Sequence, residues 1–179
     1  MLDLRADIYP QMSFDRFNWL LNAGVPAETL TRLTPLHVAT GRRAKDGIFE
    51  DAEGDRSKTE GGHGFLVFEE AEDLVFWQPR TGEIATALNR AFALGEDNIY
   101  NPGTYSFDCH LNIFPDPLEW LQNRCDGCVV LDWSRAFDRL RDCPRIAISE
   151  SLLFLYRRHM RPPHMPDVSV VTTRKAAAA

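Results

Sequence analysis

Apolar residues recur at helical spacing in a few stretches of this chain and otherwise gather in short runs divided by turn residues. Phe14, Phe17, Leu20 and Leu21 fall on one helical face after Ser13, with Asp15 in the first turn and Gly24 beyond the last. That pattern predicts a short amphipathic helix. Pro26 to Leu33 predicts a second brief helix stopped by Pro35, and Leu36 to Thr40 reads as extended. Residues 44–62 carry six acids among Gly and Ser, with Ile48 and Phe49 the only large apolar residues, which predicts a mobile loop or an exposed hairpin tip. Phe65-Leu-Val-Phe68 and Leu74-Val-Phe-Trp77, separated by the acidic run Glu69 to Asp73, predict a β-hairpin. Ile84, Ala87, Leu88, Ala91 and Phe92 fit one face of a helix ending near Gly95, although alternate residues there also fit a strand, and the helix is preferred. Asn98 to Tyr105 reads as turn and loop.

From residue 109 the pattern becomes regular. Strands are expected at Leu111–Phe114, Cys128–Leu131, Arg145–Ile148 and Val168–Val171, with helices at 117–124, 134–141 and 150–160 between them. Such alternation favours crossover connections and a mostly parallel sheet. The expected class is therefore α/β: an α+β part over residues 1–108, a βαβαβαβ layer over 109–172, and a disordered tail over 173–179, together forming one compact domain. Carboxylates at the strand ends give this layer a distant resemblance to the toprim fold of primases and topoisomerases. That family's Asp-x-Asp pair is absent from the chain, and no residue role is carried over from it.

Composition narrows the class without naming an activity. The chain has 179 residues, 44% of them apolar, and its 11 Phe and 4 Trp supply core anchors, which excludes a disordered or collagen-like chain. Four cysteines are too few to staple this length. No run reaches about 18 apolar residues, so no membrane span is expected. The first residues lack the basic flank and apolar stretch of a secretory signal, so the expected compartment is the cytoplasm, with reduced thiols.

Charge alters the picture more. The net charge of −6 conceals a division: residues 1–132 hold 11 Lys or Arg against 22 Asp or Glu, whereas residues 133–179 hold 9 against 4. Arg139, Arg141, Arg157, Arg158, His159 and Arg161 make the C-terminal part a candidate surface for an anionic partner, protein or nucleic acid. The competing explanation is a solvated face, or pairing with the chain's own acids. An exposed Trp19, lying off the first helix's apolar face, would be a further partner contact.

Ligands of open α/β sheets bind beyond the strand C-termini, which directs attention to Asp116, Asp132 and Glu150. Converging, these carboxylates could hold Mg²⁺ for phosphoryl transfer or phosphodiester cleavage. Helix capping explains the same residues without any chemistry. Cys125 and Cys128 have zinc-knuckle spacing, with Cys109, His110 and Cys143 about 15 residues away, but no second Cys-x-x-Cys accompanies them. Gly61-Gly-His63-Gly runs into a strand rather than a helix, contrary to what a phosphate loop requires. With no nucleophile elbow, Walker loop or dinucleotide fingerprint, the preferred expectation is a non-catalytic binding protein needing no cofactor. A Mg²⁺-dependent enzyme comes second, and an assembly component built on the Phe-rich hairpin third.

Overall fold

The computed structural model describes residues 5–51 and 64–162. The expected strand at Val168–Val171, the tail at 173–179, the Gly61–His63 segment and residues 52–62 of the acidic loop lie outside them.

Helices α1 (Phe14–Asn22) and α2 (Ala27–Leu33) form where the apolar spacing places them. A five-stranded antiparallel sheet follows, in the order β2-β1-β3-β4-β5, from β1 (His37–Arg43), β2 (Phe49–Asp51), β3 (Gly64–Glu70), β4 (Asp73–Gln78) and β5 (Glu83–Thr86). The expected hairpin is β3–β4, with Glu70 opposite Asp73 across a two-residue turn. Every residue of β4 is buried, because both faces of the sheet are covered. On one face Val38, Leu66, Phe68, Val75 and Trp77 pack against Leu20, Leu30, Trp120 and Leu121. On the other, Phe65, Val67, Leu74 and Phe76 close around Phe49, whose ring stacks on Phe76 at a centroid distance of 4.0 Å. A run of adjacent apolar residues, rather than strict alternation, is the sequence mark of such two-sided burial. The sheet curls into a half-barrel, and its ends approach where the β1–β2 turn meets β5: Ile48 bridges to Thr86, whose N–H donates to Gly47 at 3.1 Å.

The mostly parallel βαβαβαβ sheet is corrected by this topology, since the principal sheet is antiparallel and precedes residue 109. The later segments make only a small layer: β7 (Leu111–Ile113) pairs in parallel with β9 (Ile146–Ile148), and β8 (Val129–Val130) runs antiparallel to β6 (Ala93–Leu94). A single parallel bridge, Ile113 with Cys128, joins the two pairs. Pro115, Gly127 and Pro144 punctuate these segments and hold each strand to two or three residues. Helices α4 (Pro117–Gln122), α5 (Ala136–Leu140) and α6 (Leu153–His159) stand where the pattern places them, although shorter.

The helix expected over 84–95 is replaced by β5, a loop, β6 and the short α3 (Asp97–Tyr100). The cause is Asp73, 2% exposed. One carboxylate oxygen accepts the N–H of Leu74 at 2.9 Å and of Leu88 at 2.8 Å; the other accepts Arg90 at 2.6 Å and Ala91 at 3.1 Å. A helix would spend those donors on its own carbonyls, and here a buried carboxylate competes for them. Beyond β6, Gly95 takes a positive φ of 77°, and a Cβ there would lie 2.6 Å from the Gly127 carbonyl oxygen. That carbonyl also accepts the Trp120 indole N–H at 2.9 Å.

Candidate functional site

Asp116, Asp132 and Glu150 follow the C-termini of β7, β8 and β9, the strand ends singled out by the sequence. Asp116 caps α4, accepting the Glu119 N–H at 2.9 Å. Asp132 caps the 3-10 turn Trp133–Arg135: it accepts the Ser134 N–H at 3.0 Å and hydroxyl at 2.6 Å, and Arg135 Nε at 2.8 Å. Burial pushes the Asp132 carboxyl up, but the Ser134 and Arg135 hydrogen bonds outweigh it and hold the group below its ordinary range. Glu150 is exposed in the 3-10 turn before α6. Among the described residues no three His, Cys, Asp or Glu side chains are grouped closely enough to hold a metal ion. Asp132 also lines a cleft of about 400 Å³ between β5 and β8, with Arg43, Asp46, Glu83, Thr86 and Asn89 as other polar members over an apolar floor that includes Ile84 and Val130.

The two zinc candidates face apart. Cys128 is fully buried with Phe92, Leu111 and Ala136, whereas Cys125 packs into the cluster around Trp120 and Leu121. Burial raises the pKa of both thiols, which keeps them protonated and unreactive. All four cysteines are free.

The basic segment divides in two. Arg139 lies 3.6 Å from Glu96 and donates to the Tyr100 hydroxyl at 3.1 Å, while Arg141 reaches Asp138 and Asp142 at 4.0 and 3.6 Å. Those two are occupied by the chain's own acids. His159 is half-buried beside Trp133. Arg157, Arg158 and Arg161 are exposed and make no ion pair among the described residues. Phe154, 72% exposed, precedes Arg157 and Arg158 by three and four positions, so at 3.6 residues per turn these three share one stripe of α6, and Arg161 follows just beyond the end of the helix. Phe154 escaped notice in the sequence, although the signal was present: it falls off the apolar face defined by Leu152, Leu155 and Tyr156.

Two further features were missed. The acidic turn of the β3–β4 hairpin is not a solvated tip. Glu69 accepts the Ala6 N–H at 2.7 Å, Glu70 accepts Gly95 and Glu96 at 2.6 and 3.3 Å, and Asp73 gathers the 88–91 loop. Nothing in a run of five mostly acidic residues signals which of them will find backbone donors far away in the chain. The second is Arg145, which holds the loop after α3 by bonds to the Tyr105 and Cys109 carbonyls and to Asp108. At that loop's tip Phe107 is fully exposed with a φ of +52°. Trp19 is 40% exposed, as its position off the helix face suggests. No helix among the described residues is long and apolar enough to cross a membrane. No protein-family model, curated protein or solved structure matches the chain.

Proposed function

We propose that this protein is a non-catalytic binding module that docks the outer face of α6 against an acidic segment of a partner protein. The observation that carries the reading is the group formed by Phe154, Arg157 and Arg158 on α6 and Arg161 just past its end: three exposed cations unclaimed by the described acids, beside an exposed aromatic ring. Arginine and aromatic residues are the side chains that dominate protein interfaces, the first through bidentate carboxylate contacts and the second through buried area. A protein partner is favoured over nucleic acid because the exposed Phe154 ring beside the arginines suits a surface that offers apolar area next to carboxylates. The employment of Asp116 and Asp132 as caps supports binding over phosphoryl transfer. Four free cysteines suit a reducing, cytoplasmic setting.

The test is titration of the full chain with a fluorescent glutamate-rich peptide, and separately with a DNA duplex of similar length, from about 50 to about 300 mM salt. The expected result is peptide binding that weakens with salt and falls about tenfold when Arg157, Arg158 and Arg161 are replaced together by Ala, at roughly 0.5 kcal/mol for each exposed pair. Unchanged affinity in that variant, or tighter binding to the duplex than to the peptide, overturns the reading.

A further inference from the structure

The cleft between β5 and β8 opens where the curled sheet stops pairing. Along β5 the Ala87 N–H donates inward to Leu74 at 2.9 Å, whereas the Thr86 N–H donates outward to the Gly47 carbonyl of the β1–β2 turn at 3.1 Å. Backbone groups alternate in direction along an antiparallel strand, so the N–H and C=O of Ile84, two residues before Thr86, also face outward. β5 is the last strand of its sheet, and Ile84 lines the cleft, so this donor and acceptor meet the cleft with no strand beside them among the described residues.

Charges of both signs flank that open edge. The Arg43 guanidinium rests over Gly47, 3.5 Å from where a Cβ would stand, and Glu83 directly precedes Ile84. Both side chains are exposed, and neither enters an ion pair among the described residues. Asp46, on the same turn as Arg43, gives one oxygen to the Ile48 N–H and keeps the other free, whereas Asp132 across the cleft is already engaged by Ser134 and Arg135. The volume of about 400 Å³ falls within the range of about 300–1,000 Å³ usual for small-molecule sites.

We propose that this cleft binds a free α-amino acid with an aliphatic side chain. The carboxylate pairs with Arg43 and accepts the outward Ile84 N–H. The ammonium group pairs with Glu83 and Asp46 and donates to the Ile84 carbonyl, while the side chain covers the floor of Ile84, Pro115 and Val130. A simple anion would face the carboxylates unrelieved, and a simple amine would leave Arg43 without a partner; a zwitterion answers every group. The site is independent of the α6 face, and neither needs the other to be occupied.

The test follows amide resonances of the intact chain as leucine is added at about pH 6.5, where amino groups are protonated. Gly47, Ile84 and Asp132 should shift and saturate together. Leucinamide, which lacks the carboxylate, and 4-methylpentanoate, which lacks the ammonium group, should each bind about tenfold more weakly, the combined loss of an exposed ion pair and a hydrogen bond. Arg43→Gln should shrink the preference over leucinamide alone, and Glu83→Gln with Asp46→Asn should shrink the preference over 4-methylpentanoate alone. All three positions are exposed, so these variants keep the fold. Absence of saturable shifts up to about 10 mM leucine overturns the proposal, as does equal binding of either analogue or preferences that the variants leave unchanged.

Discussion

Replacing Asp73 by Asn changes one atom of a side chain and tests why residues 87–91 form a clamped loop. In the native protein both carboxylate oxygens are saturated, one by Leu74 and Leu88 and the other by Arg90 and Ala91. The asparagine amide supplies one accepting oxygen and one NH₂. Whichever way the amide turns, two N–H donors lose their acceptor and face another donor. A donor left unsatisfied in the interior costs about 1–3 kcal/mol, so the pair should cost on the order of 3 kcal/mol. The site is 2% exposed, so water cannot replace the lost acceptor without opening the loop. Urea unfolding followed by tryptophan fluorescence is suitable, because Trp77 and Trp120 are both buried. The midpoint should fall with the slope unchanged. Glu72→Gln in the same turn, at an exposed position, should stay within about 0.5 kcal/mol of the wild type. A loss below about 0.5 kcal/mol for Asp73→Asn would refute the claim that this carboxylate, rather than local preference, keeps the segment from becoming a helix.

Gly95→Ala should destabilise by about 2 kcal/mol or more in the same assay, since it combines a positive φ with a Cβ pressed against the Gly127 carbonyl; a loss below about 0.5 kcal/mol would contradict that close approach. Asp116→Ala should cost about 1 kcal/mol by removing the α4 cap, and Asp116→Ser should recover most of it, whereas Asp116→Asn restoring nothing would argue for a role other than capping. The Glu70 carboxyl also makes global stability depend on pH. Its folded-state pKa of about 7 lies above the ordinary value of 4.5, so its stabilising contribution is complete below about pH 4.5 and is lost as pH rises through 7. At about 1.4 kcal/mol per unit, the loss is on the order of 3 kcal/mol, and Glu70→Gln, which also gives up one of the two acceptors, should lack this fall with pH; an equal fall in both proteins would contradict the burial argument. Arg145→Ala should release the loop it ties, seen as faster exchange at the Cys109 amide with little change in global stability.

The parts of the fold legible in the sequence are those fixed by local information. Phe14 to Leu21 declare a helix by spacing, and Phe65 to Trp77 declare a hairpin by two β-forming runs around a short turn. Between residues 84 and 95 the local pattern suits a helix, and the decision passes to Asp73, which lies 15 or more positions away from the amides it binds. The parallel layer was misread for a related reason: apolar triplets such as Leu111–Ile113 and Ile146–Ile148 carry the right rhythm, but rhythm does not reveal that each strand ends after three residues or that the main sheet lies elsewhere. Asp116 and Asp132 show both sides of the problem. Their positions at strand ends were visible, and so was the capping chemistry that occupies them, whereas the separation of Cys125 from Cys128 depends on which core each side chain enters. The basic segment was visible as a count of charges. Only the geometry separates Arg139 and Arg141, taken up by Glu96, Asp138 and Asp142, from the three arginines on and just beyond α6.

The binding proposal is tested most directly by mapping amide resonances of the intact protein as the glutamate-rich peptide is added. Shifts concentrated on residues 153–161, saturating together and absent when Arg157, Arg158 and Arg161 are replaced by Ala, are the predicted result. Shifts centred instead on Arg43, Glu83 and Asp132 would contradict it, because they would place the ligand in the cleft between β5 and β8 and leave the α6 face without a role.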